Sequence, residues 1–197
     1  MLLIIMFFSG FPSAAQIHNE QEGKDIDLSH GIWEVPVWSL KTNALGWLAT
    51  VPNIEAEFKA GPHLAIDLGI WVCPWKISTR YSLKTIAILP EVRWWLNNMA
   101  TGHYFNIHFT CGWYNLRIND YRYQDAHHPA LGAGIGYGYQ FVFNENWGLD
   151  LSIGFGYLNL RYDRFYNVEN GALIDTRKTS YWGPDRLGVS LVYRFTP

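Results

Sequence analysis

Residues 131–143 read L-G-A-G-I-G-Y-G-Y-Q-F-V-F. The odd positions are Leu131, Ala133, Ile135, Tyr137, Tyr139, Phe141 and Phe143, and the even ones are Gly132, Gly134, Gly136, Gly138, Gln140 and Val142. Successive side chains leave opposite faces of a strand, so this stretch predicts one apolar face and one small, polar face. A helix would scatter the glycines around its surface and lose roughly 1 kcal/mol at each. The stretch is a strand.

The same device extends in both directions. Leu149, Leu151, Ile153, Phe155 and Tyr157 alternate with Asp150, Ser152, Gly154 and Gly156, and Leu187, Val189, Leu191, Tyr193 and Phe195 with Gly188, Ser190, Val192 and Arg194. Upstream, Ile54, Ala56 and Phe58 oppose Glu55, Glu57 and Lys59, while Leu64, Ile66, Leu68 and Ile70 oppose Ala65, Asp67, Gly69 and Trp71. Ile86, Ile88, Pro90, Val92 and Trp94 oppose Glu91, Arg93 and Trp95; Phe105, Ile107 and Phe109 oppose Asn106, His108 and Thr110. The pattern predicts eight strands, near 37–49, 53–60, 64–74, 85–96, 103–115, 130–143, 148–160 and 186–196. Short turns follow the second, fourth and sixth. Longer polar segments, 75–84, 116–129 and 161–185, follow the third, fifth and seventh. Asn170-Gly171 reads as a hairpin tip that extends the seventh and eighth strands above the membrane within the last of these. An even strand number with alternating short and long connections predicts an all-β, eight-stranded antiparallel up-and-down transmembrane β-barrel.

Composition agrees with that expectation. Of 197 residues only 16% are charged and 17% are aromatic, with 18 glycines and a formal net charge of −2. An average soluble domain is about 25% charged. The chain is too apolar for disorder and lacks the basic footprint of a nucleic-acid binder. No apolar run approaches the length of about 20 residues that a membrane helix needs. Residues 1–15, M-L-L-I-I-M-F-F-S-G-F-P-S-A-A, predict a signal peptide, with Ser13 and Ala15 at the cleavage positions. No Lys or Arg precedes Lys24, a departure from the usual positively charged start. The expected organisation is therefore a signal peptide over 1–15, an N-terminal periplasmic segment over 16–35 and an outer-membrane barrel over 36–197. Cys73 and Cys111 are expected on opposite faces of non-neighbouring strands, as small packing residues.

The small, polar face reads as the barrel lumen. It carries Lys41, Asn43, Glu55, Glu57, Lys59, Asp67, Glu91, Arg93, Asn106, His108, Asp150 and Arg194, a mixed set suited to ion pairs across a narrow interior. The aromatic residues fall at two levels. Trp94, Trp95, Tyr104, Phe105, Tyr139, Phe141, Phe143, Trp147, Tyr193 and Phe195 lie near the expected periplasmic ends, and Trp47, Trp71, Trp75, Trp113, Tyr114, Tyr157, Tyr181 and Trp182 near the outer ends. Girdles at both interfaces are expected of a membrane barrel.

The segments K-T-N-A-L at 41–45, P-N-I-E-A-E at 52–57, P-E-V-R-W-W at 90–95, G-Y-G-Y-Q at 136–140 and Y-W-G-P at 181–184 resemble an uncharacterised domain-of-unknown-function family. Its members are small exported barrels of Gram-negative bacteria. The resemblance covers roughly Lys41 to Phe195 and implies an outer-membrane barrel similar to the small OmpA- and OmpX-like ones. It implies no reaction.

No catalytic constellation stands out. His108 and Thr110 share a face, but a hydrolase of this membrane would place a serine at that spacing. His127 and His128 lie near Asp120 and Asp125 without the fixed spacing of a metal site, and no metal or other cofactor is expected. The G-x-G-x-G within Gly132 to Gly138 lies inside a strand with no helix after it, so it is not a nucleotide loop. Arg117, Arg122, Arg161, Arg164, Arg177 and Lys178 make the expected outer loops basic, suited to the phosphates of lipopolysaccharide. The first reading is a non-enzymatic outer-membrane barrel with a filled lumen. It would act in surface interaction, surface-structure assembly or envelope integrity, through loops 116–129 and 161–185 that meet lipopolysaccharide, a surface protein or a host ligand. A lipid A-modifying enzyme and a narrow pore are the alternatives.

Overall fold

The computed structural model describes residues 37–97, 100–125, 127–168 and 170–195. The expected signal peptide and the 16–35 segment lie outside the described residues. The described chain is all-β and antiparallel. Its strands are β1 (Trp38–Asn43), β2 (Asn53–Lys59), β3 (Leu64–Lys76), β4 (Tyr81–Trp95), β5 (Gly102–Ile118), β6 (Tyr121–Gln124), β7 (Ala130–Val142), β8 (Trp147–Tyr166) and β9 (Leu173–Phe195). A single helical turn and a half, α1 (Ala44–Leu48), interrupts them.

Consecutive strands pair from β1 to β5 and from β7 to β9, β5 pairs with β7, and β9 returns to β1, with Trp38 opposite Phe195 and Asn43 opposite Ser190. The result is a closed ring of eight strands with no free edge. β6 is the ninth strand and stands outside that count. It pairs with Asn115–Ile118 of β5 and Asp163–Tyr166 of β8, and so takes the place of β7 beyond the point where β7 begins.

Two expectations about the elements need correction. The first strand does not run to residue 49. Asn43 ends it: its backbone N–H donates to Asn53 Oδ1 at 2.6 Å, and its own side chain accepts the Leu45 N–H at 2.9 Å. Those bonds cap a helix in place of continuing the ladder. The chain then reverses through Thr50, which has a positive φ of 53°.

The polar segments 75–84 and 116–129 are paired along half their length or more, and 161–185 is the extended hairpin expected from Asn170-Gly171. β3 and β4 stay paired as far as Lys76 and Ser82, and β5 turns into β6 at Asn119, where φ is 53°. β8 and β9 run together to Phe165 and Leu173, with the tip at Asn170 and Gly171. Asn167 ties the three hairpins together, donating from its side chain to Asn119 O at 2.9 Å and Thr79 O at 3.2 Å. Polar composition marked these segments as exposed; it did not mark them as unpaired.

Burial is inverted relative to a water-soluble domain. The charged residues Lys41, Glu57, Asp67, Glu91, Arg93, Asp150 and Arg194 are buried inside the ring. Ile66, Leu68, Ile107, Ile135, Ile153, Phe155 and Leu187 stand exposed on its outside. The apolar core is small: Ala65, Trp95, Ala100 and Tyr104, at the short-turn end.

Candidate functional site: the charged interior

The interior network is built by strand parity. Lys41 on β1, Glu57 on β2 and Asp67 on β3 all point inward, and Lys41 Nζ lies 2.5 Å from Glu57 Oε2 and 2.6 Å from Asp67 Oδ2. Arg93 on β4 reaches further across. Its Nη1 contacts Asp150 Oδ2 at 2.6 Å and Glu57 Oε2 at 3.2 Å, and its Nε donates to Glu91 Oε1 at 2.5 Å. The guanidinium also lies over the ring of Tyr104, 4.5 Å from the centroid. Tyr104 in turn donates its hydroxyl to Asp150 Oδ1 at 2.7 Å. The buried charges are therefore paired across the ring, which offsets the cost of taking them out of water.

Glycine makes this crossing possible. Tyr104, Asn106 and His108 on β5 lie opposite Gly138, Gly136 and Gly134 on β7. A Cβ at Gly134 would come within 2.5 Å of His108 Nε2, and one at Gly136 within 2.6 Å of Asn106 Oδ1. At Gly138 it would run into the Tyr104 ring. The G-x-G-x-G of β7 is thus a bed for three large inward side chains.

The remaining interior residues have separate roles. His108 meets Asn106 Oδ1 through Nδ1 at 3.1 Å and Asp185 Oδ2 through Nε2 at 2.9 Å. Glu55 accepts the Trp71 indole N–H at 3.2 Å. Asn43 leaves the ionic network; beyond capping α1, it donates to Leu187 O at 3.2 Å. Lys59 and Arg194 line a small recess at the short-turn end with Ser39, Glu57 and Gln140.

Sequence reasoning missed three members of this constellation: Asp185, Arg186 and the Tyr104 hydroxyl. Arg186 forms an ion pair with Glu91. Asp185 faces inward beside it because β9 bulges here: Pro184 pairs with Phe155 and Arg186 with Gly154, which leaves Asp185 as the extra residue. Arg186 shares the inward parity of Gly188 and Ser190, and Tyr104 that of Asn106; for Asp185 the one signal was Pro184, a residue that strands accept at edges and bulges.

Of the aromatic residues expected at the two strand ends, Trp94, Trp113, Phe141, Phe143, Trp147, Trp182 and Phe195 are exposed on the outer face, with Tyr139 and Tyr193 half-buried beside them. Trp147, Tyr193 and Phe195 form one contiguous run, with centroids 5.0 Å apart in each successive pair. Trp71, Trp75, Trp95 and Tyr104 do not belong to that surface. Trp95 and Tyr104 pack on each other in the core at 4.7 Å, and Trp71 and Trp75 line an interior cavity. Parity decides their side; residue type does not.

Cys73 and Cys111 are both free, Cys73 donating to Leu83 O inside the ring. In the 125–129 connection, Asp125 Oδ1 accepts the backbone N–H groups of His127 and His128 at 2.8 and 2.9 Å. Among the described residues no group of three or more His, Cys, Asp or Glu is arranged to hold a metal ion.

The chain belongs to the family of proteins of unknown function DUF3575, whose family profile matches residues 24–195. No curated protein matches it.

Proposed function

We propose that this member of the family is an integral outer-membrane β-barrel that acts without catalysis, through the hairpins beyond its long-connection end. The inverted burial carries the reading. A closed ring with ion pairs inside and Ile, Leu and Phe outside buries its charges and leaves its apolar face for lipid. Exposed aromatic residues at both strand ends and the alternation of tight turns with long hairpins support it.

The three hairpins joined by Asn167 would stand outside the membrane. Arg122, Arg161, Arg164, Arg177 and Lys178 on them suit the phosphates of lipopolysaccharide, and their paired backbones offer a firm surface to a protein or host ligand. Surface interaction, surface-structure assembly or envelope integrity is the resulting role. Two alternatives have less support. The side chains crossing the ring at Lys41 and Arg93 argue against a conducting pore. His108 and Asp185 form a base–acid pair, but among the described residues no serine is hydrogen-bonded to either.

The test is electrophoresis of the protein in detergent with and without boiling. A folded barrel runs at a different position from the boiled sample and partitions with the detergent phase. Equal mobility together with aqueous partitioning overturns the membrane reading.

A further inference from the structure

Beyond the ion-pair layer, toward the long hairpins, the ring encloses a cavity of about 450 Å³. That volume falls in the range of small-molecule sites, about 300–1,000 Å³. Its walls include Trp71, Trp75, Leu83 and Leu89, all on inward positions of β3 and β4. Four charged residues also line it: Glu55, Arg93, Asp185 and Arg186.

The charges are not equally engaged. Lys41 is held by Glu57 and Asp67, Arg93 by Glu57, Glu91 and Asp150, and Arg186 by Glu91. Glu55 and Asp185 have no Lys or Arg at ion-pair distance among the described residues. Glu55 meets the Trp71 indole and Asp185 meets His108. Two carboxylates without an ion pair therefore face the cavity, and Trp71 and Trp75 form part of its wall. Both features favour one chemistry. A carboxylate attracts a cation, and an indole face adds about 0.5–2 kcal/mol of cation–π attraction. An anion would have to displace carboxylates already seated on Arg93 and Arg186.

We infer that the ring interior holds a binding site for a small organic cation with an apolar or aromatic substituent, such as a substituted ammonium. The ammonium faces Glu55 and Asp185, and the substituent lies against Trp71, Trp75 and the leucines. The site depends on the closed ring and not on what surrounds the outer face, so it stands or falls separately from the membrane reading.

The experiment is calorimetric titration of the folded protein in non-ionic detergent with benzyltrimethylammonium, using phenylacetate and benzyl alcohol as anionic and neutral counterparts. Saturable binding of the cation is expected. It should weaken by about tenfold in Glu55→Gln and in Asp185→Asn, the loss expected when a charge facing a desolvated cation is removed. Glu55→Gln is the cleaner variant because it leaves every ion pair of the layer below in place. Unheated gel mobility checks that both variants keep their fold. The absence of saturable binding, equal affinity in wild type and both folded variants, or equal competition by phenylacetate overturns the site.

Discussion

Asp125 shows how much one carboxylate can organise. It sits where β6 ends and the chain turns toward β7, with its side chain only 2% exposed. Burial by itself pushes its pKa up. The N–H groups donated by His128 and His127 outweigh that and hold the carboxyl below its ordinary value of 3.8. The sign of the linkage follows. A depressed folded pKa means the turn's stabilisation is present above the unfolded value and is lost as pH falls through the folded one. A carboxyl titration of Asp125 by NMR should give a midpoint below 3.8, with the His127 and His128 amide shifts moving at that same midpoint. A midpoint at or above 3.8, or amides that do not follow it, would show that the turn is held by something else. Arg93 is the opposite case, a residue anchored by several partners at once. Losing one carboxylate leaves Arg93 its other partners, whereas replacing Arg93 strips Asp150 of the cation it is paired with, and breaking a buried pair in that way costs about 3–5 kcal/mol.

At the scale of the element, β7 and β5 act as a matched pair. Tyr104 is pinned from three sides: its ring packs on Trp95, Arg93 lies over its face, and its hydroxyl is held by Asp150. It cannot move aside for a side chain at position 138. Gly138→Ala should therefore destabilise the fold by about 1–3 kcal/mol, the usual cost of overpacking. Gly61→Ala, whose new methyl would meet only Leu64 Cβ at 3.8 Å, should stay within about 0.5 kcal/mol. Urea midpoints of the two variants give the comparison, and equal shifts would mean the glycine bed is not a steric requirement. This pairing also marks what was legible in the sequence. The alternation of residues 131–143 carried the strand and its two faces, and parity placed Trp95 on the side of Arg93 even though its type suggested a girdle. Parity could not carry Asp185. Counting by two from Leu187 puts Asp185 outside, and only the bulge at Pro184 brings it in. Nor could it carry α1, because Asn43 serves both as the last residue of a ladder and as a helix cap, and the bond to Asn53 that decides between them comes from a different strand.

For the whole molecule, the outer face is where the proposed setting can be separated from its alternatives. Ile135 lies in the middle of β7, 68% exposed, between Ile107 of β5 and Phe155 of β8. No charged residue shares that row, and its inward neighbours are Gly134 and Gly136. If lipid covers this face, Ile135→Arg places a cation near the midplane, at a cost of about 2–4 kcal/mol. If water covers it, the same change removes an exposed apolar side chain and should be close to neutral, within about 0.5 kcal/mol. Reversible urea unfolding from phospholipid vesicles separates the two outcomes, because the folded ring and its interior network are the same in both. Phe143→Arg supplies the internal scale. Phe143 follows the end of β7 and is 64% exposed, so an arginine there can reach the headgroups and should cost no more than about 1 kcal/mol. A large penalty at 135 with a small one at 143 is the depth profile that a bilayer imposes. Equal, small penalties at both positions would mean the apolar exterior is covered by something other than lipid.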